Sequence, residues 1–160
     1  KFDYIRSRIL SFFDRDAGTH NFQSDKAIES ITSGGFFGKG IGEGVLKNRV
    51  PEAHTDYIIS VISEEFGVIA IILILLMFLV LIYMVFKKIN YEKSEKIKLV
   101  LIGCVSLILM QVSIHVGVNI RLFPTTGMTL PFLSYGGSSI ISISILSGII
   151  LNLTKRKINQ

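Results

Sequence analysis

Three long segments without a charged residue limit what this chain can fold into. They cover residues 66–86, 99–120 and 130–153. Each is about as long as the ~20 residues that an α-helix needs to cross the roughly 30 Å hydrocarbon core of a bilayer. We therefore predict an all-α, polytopic helical membrane protein fragment with three transmembrane helices. The chain begins with Lys1 and has no signal peptide, so we expect it to be a piece of a longer protein.

Lysine and arginine residues predict how these helices are oriented. The net charge is +5, and basic residues are concentrated at 87–98, between the first two segments, and in the tail at 154–160. Two spans separate these clusters, so both lie on one side, which the positive-inside rule places in the cytoplasm. Residues 1–65, a large extracytoplasmic loop, and residues 121–129 then face outward. Basic residues within 1–65 do not follow the rule, which constrains long loops only weakly. Orientation accounts for the basic composition, so no nucleic acid partner is predicted.

The region before the first span contains two predicted helices and an unusual glycine-rich segment. Apolar residues at helical spacing predict an amphipathic helix over 2–12, at a membrane surface or at the end of an earlier span. Residues 23–33 could form a second, short helix. Six of the eleven residues in 34–44, the Gly-rich segment, are glycine. This composition fits a flexible or tightly folded loop, and it also fits close approach of the backbone to a substrate, with Lys39 available for phosphate.

A polar stripe leads into the first span. Thr55 is predicted to be the N-cap of a helix, which would place Asp56 in its first turn. Carboxylates at a membrane interface are costly unless they face a cavity or a partner. The residues that share the helical face of Asp56 are Ser60, Ser63, Glu64 and Gly67.

A second polar stripe lies within the second span. Gln111, His115 and Asn119 are spaced by four residues and therefore share one helical face. In a membrane this face must turn toward other helices. It either fixes helix packing through hydrogen bonds or lines a polar cavity near the outer leaflet.

The segment before the third span contains helix breakers followed by regularly spaced serines. Pro124 and Pro131 predict a bent loop or a broken helix. Ser134, Ser138 and Ser142 are spaced by four, which favours close helix packing. No base and orienting acid accompany these serines, so none is a credible nucleophile.

Three blocks of this sequence resemble the signatures of one family. They are FQSDKAIESITSGGFFGKGIGEG at 22–44, PEAHTDYIISVISEEFG at 51–67 and PTTGMTLPFLSYGGSS at 124–139. In this order they are similar to the SEDS family, the shape, elongation, division and sporulation proteins. PEAHTD and TGMTLPF are closer to the division member than to the elongation member. The family more often has Lys at the position of Thr126, so a cation near this loop is missing or is supplied by Arg121.

The resemblance implies an activity, partners and a location. The activity is that of a peptidoglycan glycosyltransferase, which polymerises lipid II into glycan strands during cell division. The implied partners are a class B penicillin-binding protein (a transpeptidase) and other divisome proteins. The implied location is the bacterial inner (plasma) membrane, as a multi-pass protein at the division septum. This chain would form the C-terminal part of such an enzyme.

The implied reaction needs a base for the acceptor hydroxyl and positive charge for the departing pyrophosphate. The family's essential acid falls on Asp56, which we predict to be the general base, with Glu52 and Glu64 as second catalytic candidates. A divalent cation, Mg or Mn, bridging Asp56 and pyrophosphate is compatible with this chemistry, but no ligand spacing requires one and no metal ligands are assigned. The residues predicted to bind substrate are Lys26, Lys39, Arg49, Thr55, Arg121 and Ser134.

Three alternatives stay open at this stage. Polar faces within spans and a broken-helix loop also suit a flippase that transports a lipid-linked precursor. A scaffold that recruits a transpeptidase to the division site is the second alternative. An elongation polymerase of the same family is the third.

Overall fold

A computed structural model of the chain describes residues 18–50 and 52–155. The amphipathic helix predicted for residues 2–12 lies outside the described residues. The helices and strands assigned in the described residues are all α-helices, which confirms the predicted all-α class. Its helices are α1 (Gly18–Gly34), α2 (Leu46–Arg49), α3 (Ile58–Phe66), α4 (Val68–Tyr91), α5 (Glu95–Asn119) and α6 (Gly137–Thr154).

Within the described residues, α4, α5 and α6 are long and apolar enough to cross a membrane. They pack against one another through a shared apolar core that includes Phe78, Val85, Leu101, Ile108 and Ile143. In the most apolar 18-residue stretch of each helix, 33% of the α5 stretch is buried, against 11% of the α4 stretch and 11% of the α6 stretch. The second span is therefore the one that the other elements pack around, while α4 and α6 expose most of their apolar surface.

The spanning helices begin and end at different residues from the uncharged segments. The first segment is divided at Gly67 (φ 82°), which separates α3 from α4. The helix α4 then continues past Phe86 through two lysines. Long basic side chains are favourable at the end of a span because they can extend their charged groups into water. The third helix begins at Gly137 rather than near residue 130, because Pro131 and the left-handed Phe132 (φ 65°) interrupt regular structure.

The helices before the first span form a second core. The short helix predicted at 23–33 is confirmed as the longer α1, which packs mainly on α3. Tyr57 is fully buried between them, and its hydroxyl lies 3.3 Å from the Oγ of Ser24. The buried residues of this core are Ala27, Leu46, Val50, Ala53, Tyr57, Val61 and Val118. Since Val118 belongs to α5, this second core is attached directly to the second span.

The Gly-rich segment is tightly folded rather than flexible. It packs on the junction between α3 and α4 and supplies hydrogen bonds to both helix ends. The N–H groups of Lys39 and Gly40 donate to the carbonyls of Glu64 (2.9 Å) and Glu65 (3.1 Å) in the last turn of α3. In the opposite direction, the N–H of Val68 at the start of α4 donates to the carbonyl of Gly35 (3.0 Å). Helix ends leave such groups without partners inside the helix, so the segment completes both ends.

Glycine is required here because the two backbones approach so closely. A Cβ on Gly34 would lie 2.1 Å from the carbonyl oxygen of Ser63, and one on Gly38 would lie 2.2 Å from that of Glu65. Gly38 also has φ of 79°, a region that residues with a side chain rarely adopt. Between a flexible and a tightly folded loop, the structure supports the tightly folded one. Close approach of this backbone to a substrate, with Lys39 available for phosphate, stays a prediction.

We predict that Gly38→Ala destabilises the complete protein strongly. The left-handed backbone alone costs about 1–2 kcal/mol for an L-residue, and the overlap with Glu65 adds to this. Thermal unfolding in detergent should show a clear drop in melting temperature. Gly103→Ala is the matched control, because a Cβ at Gly103 in α5 meets nothing within 4 Å. Equal melting temperatures for the two variants would contradict this account of the segment.

Candidate functional site

Asp56 lies in a tight turn, residues 52–57, that precedes α3. The carbonyl of Glu52 accepts hydrogen bonds from the N–H groups of Thr55 (3.2 Å), Asp56 (3.1 Å) and Tyr57 (3.3 Å). The helix begins at Ile58, after the turn. The prediction that Thr55 caps this helix is therefore wrong, since its hydroxyl donates back to the Glu52 carbonyl (3.1 Å) instead.

The polar stripe predicted around Asp56 faces the protein interior. Asp56 is 7% exposed, and Ser60, Ser63 and Glu64 are each at most 2% exposed. The side chain of Glu52 is exposed. Of the three acidic candidates, Asp56 and Glu64 are thus enclosed by the fold, and Glu52 faces solvent.

The polar face of the second span holds the turn. His115 and Asn119 are fully buried. The Nε2 of His115 lies 3.3 Å from the carbonyl oxygen of Thr55, and since a carbonyl can only accept, Nε2 carries the proton. The Nδ2 of Asn119 donates to the carbonyl of Asp56 (2.8 Å). About two turns before Asn119 on the helix, the Nε2 of Gln111 donates to the carbonyl of Thr129 (2.8 Å). The face therefore acts in packing, through hydrogen bonds to backbone carbonyls.

The segment after the second span holds the same turn from another side. The hydroxyl of Ser134 donates to the carbonyl of Thr55 (2.8 Å) and accepts from the N–H of Leu130 (2.8 Å). The N–H of Tyr135 donates to the carbonyl of His54 (3.0 Å). Thr55 and Ser134, both predicted to bind substrate, are thus brought into direct contact with each other.

The remaining serines of that series behave differently. Ser138 and Ser142 are exposed, so the close packing predicted for them is not present among the described helices. Their four-residue spacing instead allows the hydroxyl of Ser142 to donate to the carbonyl of Ser138 (3.1 Å) within α6.

Three of the residues predicted to bind substrate lie around one cavity of about 200 Å³. Lys26 of α1, Lys39 of the Gly-rich segment and Arg49 of α2 reach it from different elements. Lys26 forms an ion pair with Glu29, and the Nζ of Lys39 lies 2.9 Å from the Oε1 of Glu64. The residues that line the cavity are Lys26, Glu29, Ser30, Ser33, Lys39, Val45, Leu46, Arg49 and Glu64. Cations outnumber carboxylates here, so the cavity suits an anion.

Glu64 anchors the wall of this cavity. Besides Lys39, it receives hydrogen bonds on Oε2 from the backbone N–H groups of Val45 and Leu46, both at 3.0 Å. Burial works to raise the pKa of Glu64, but the hydrogen bonds from Leu46, Lys39 and Val45 outweigh it and hold the pKa below its ordinary value. Both carboxylate oxygens are engaged, so Glu64 ties the Gly-rich segment and α2 to α3.

Arg121 lies apart from the cavity. It has a left-handed backbone (φ 58°) two residues after the end of α5 and forms an ion pair with Asp25 of α1. This pair joins the region before the first span to the end of the second span. It brings Arg121 to α1 and not to the three cations of the cavity.

The described residues do not contain a preformed metal centre. Within 18–50 and 52–155, no group of three or more His, Cys, Asp or Glu side chains is placed to hold a metal ion. A divalent cation between Asp56 and a pyrophosphate stays a prediction.

The family model of the cell cycle proteins FtsW, RodA and SpoVE matches residues 1–159. The chain belongs to this family. That result confirms the resemblance found in the three sequence blocks, and the fold agrees with it. A chain from a solved structure described as a peptidoglycan synthase complex that coordinates polymerization and crosslinking superposes with a TM-score of 0.72. It is 28% identical and covers 94% of this chain and 41% of its own length.

Similar curated proteins carry the name of the division member. A probable peptidoglycan glycosyltransferase FtsW from Enterococcus hirae is 37% identical over 158 residues, covering 92% of this chain and 40% of the relative. Another from Caulobacter vibrioides is 39% identical over 157 residues, covering 98% of this chain and 40% of the relative. The chain therefore spans about two fifths of the length of these relatives.

The position of Glu64 predicts how stability depends on pH. A carboxyl group whose pKa is lowered in the folded state stabilises the fold at pH values above its ordinary pKa of 4.5. This stabilisation is lost as the pH falls through the folded-state pKa. Lowering the pH from about 7 to about 4 should therefore reduce the melting temperature of the complete protein. The reduction should be smaller in Glu64→Gln, which lacks the titrating group. Glu43→Gln, at an exposed glutamate of the Gly-rich segment, should behave like the wild type, and a Glu64→Gln variant with the full wild-type pH dependence would contradict the prediction.

Proposed function

We propose that the complete protein is a glycosyltransferase that polymerises lipid II into peptidoglycan strands during cell division. The observation that carries this proposal is the fixed, enclosed position of Asp56 in a turn that shares its packing core with an anion-suited cavity. Tyr57 of the turn and Leu46 of the cavity wall both belong to that core. Membership of the family and the names of its similar relatives, probable peptidoglycan glycosyltransferases, support the proposed substrate class.

In the proposed reaction Asp56 is the general base. Its carboxylate takes the proton of the acceptor sugar hydroxyl as that oxygen forms a bond to the anomeric carbon of the donor sugar. The bond between that carbon and the pyrophosphate oxygen breaks, and the lipid pyrophosphate leaves with the electron pair. Enclosure raises the effect of a carboxylate here because nearby charges are less screened than in water. Glu52 and Glu64 stay second candidates, and Glu64 is the weaker one because both of its oxygens are engaged.

The cavity lined by Lys26, Lys39 and Arg49 is the proposed site for the pyrophosphate. Charge-assisted hydrogen bonds to phosphate oxygens would stabilise the charge that develops on the leaving group. Arg49 is the first contact in this proposal because its exposed side chain lines the cavity. Lys26 and Lys39 already have carboxylate partners, which a phosphate would have to share or displace.

The other predicted substrate residues act indirectly in this proposal. Thr55 and Ser134 contribute through the turn that they hold, and Arg121 through its ion pair with Asp25. The chain is a membrane protein, and its assignment to the inner membrane at the septum belongs to the proposal. So does a class B penicillin-binding protein as partner, which the similarity to a chain of a peptidoglycan synthase complex supports.

We expect Asp56→Asn in the complete protein, assayed with its transpeptidase partner, to reduce polymerisation of labelled lipid II at least about 100-fold, the range of general base catalysis. The substitution keeps the size of the side chain but removes the base. Glu43→Gln is the matched control, since Glu43 is an exposed carboxylate of the Gly-rich segment that lies outside the turn and does not line the cavity. Glu52→Gln tests the second candidate in the same turn. Wild-type polymerisation by Asp56→Asn would overturn the assignment of the base. Loss of translocation alone would favour the flippase, and normal growth with an inactive variant would favour the scaffold.

Arg49→Ala should lower kcat/KM for lipid II roughly 10- to 100-fold, since charge-assisted hydrogen bonds contribute about 1.5–3 kcal/mol. Steady-state rates over a range of lipid II concentrations check this. Lys98→Ala is the control, because this lysine lies on α5 and pairs with Glu95 away from the cavity. An unchanged kcat/KM in Arg49→Ala would remove the cavity from the proposed site.

A further inference from the structure

We infer that Asn119 of the second span is a positioning residue for Asp56. Its carboxamide is inserted into the first rung of α3, where a rung is one backbone hydrogen bond between residues four apart. The inference rests on the proposed role of Asp56. In a helix that began at the turn, the N–H of Ser60 would donate directly to the carbonyl of Asp56, four residues earlier. The next rung is of this direct kind, from the N–H of Val61 to the carbonyl of Tyr57 (3.1 Å).

The side chain of Asn119 replaces the missing rung. Its Nδ2 donates to the carbonyl of Asp56 (2.8 Å), and its Oδ1 accepts from the N–H of Ser60 (3.1 Å) and from the Ser60 hydroxyl (2.7 Å). One carboxamide thus satisfies the two backbone groups that a longer helix would have joined. It also provides the cap of α3, since the N-cap residue Tyr57 makes no side-chain capping bond.

The orientation of this carboxamide is fixed by its surroundings. Nδ2 also lies 2.9 Å from the carbonyl oxygen of His115 and 3.4 Å from the Nδ1 of the same residue. Exchanging the amide nitrogen and oxygen would place Oδ1 against two carbonyl oxygens and Nδ2 against an N–H donor. Because Ser60, His115 and Asn119 are all fully buried, water cannot compensate for such an exchange.

The arrangement fixes the backbone that carries the Asp56 carboxylate. If the rung closed directly, α3 would extend into the turn, and the backbone of Asp56 would rotate into helical geometry. The inserted carboxamide keeps Asp56 outside the helix and ties its carbonyl to α5. A displacement of about 1 Å in a catalytic group can cost about 100-fold in rate. Loss of the hydrogen bonds from Asn119 would therefore matter for a general base at Asp56.

Two substitutions test the inference in the complete protein with its partner. Asn119→Ala removes the carboxamide, and Asn119→Asp keeps its shape and its acceptor for Ser60 but cannot donate to Asp56 when ionised. We expect both to lower kcat for lipid II polymerisation about 10- to 100-fold, with the KM changed less than about threefold. Gln111→Ala is the matched control, because Gln111 shares the helical face but binds Thr129 rather than the turn.

A double-mutant comparison separates positioning from general loss of structure. In an Asp56→Glu background, where the carboxylate is already displaced, Asn119→Ala should cost little further activity, because the effects of residues that act as a unit are not additive. Full additivity, or losses equal to those of Gln111→Ala, would overturn the inference. If Asn119→Ala fails to accumulate in membranes, the comparison is made with Asn119→Asp. Activity in Asp56→Asn would instead overturn the proposed base itself, which distinguishes the two failures.

Discussion

The rest of the structure depends on the hydrogen bonds to three successive backbone carbonyls, those of residues 54–56. A tight turn next to a membrane cannot rely on water for these groups, and leaving them unpaired would be costly. Donors from the second span and from the segment before the third span supply every one of them. The same bonds bring elements that are about 60 to 80 residues apart in sequence into fixed contact. The position of Asp56 is therefore determined by spans that follow it in the chain.

The part of the chain before the first span is organised by a comparable requirement. Glu64 collects the ammonium of Lys39 and two backbone N–H groups, and the Gly-rich segment meets the ends of α3 and α4. As a result the cations of the cavity are carried by elements whose backbones are fixed. A site with fixed charges loses little energy to reorganisation when charge develops on a bound group.

The patterns that the sequence predicted well are those set by period and hydropathy. Charge-free length identified the spans, and the four-residue spacing of Gln111, His115 and Asn119 identified an inward polar face. Chemistry alone grouped Lys26, Lys39 and Arg49, which the fold then brings to one cavity. The partners of the polar face could not be predicted, because they are backbone carbonyls, which every residue has. Thr55 was a reasonable cap on local grounds, but a buried amide 59 residues after Ser60 supplies that cap instead.

The glycine between α3 and α4 has a consequence for how movement could pass through the protein. Such a residue would ordinarily act as a hinge, since glycine bends easily. At Gly67, however, a Cβ would lie only 2.1 Å from the carbonyl oxygen of Phe36, and backbone hydrogen bonds bridge the joint on both sides. The Gly-rich segment therefore restrains the backbone at Gly67. A displacement of the Gly-rich segment would therefore move the first span with it, instead of being absorbed by bending at Gly67.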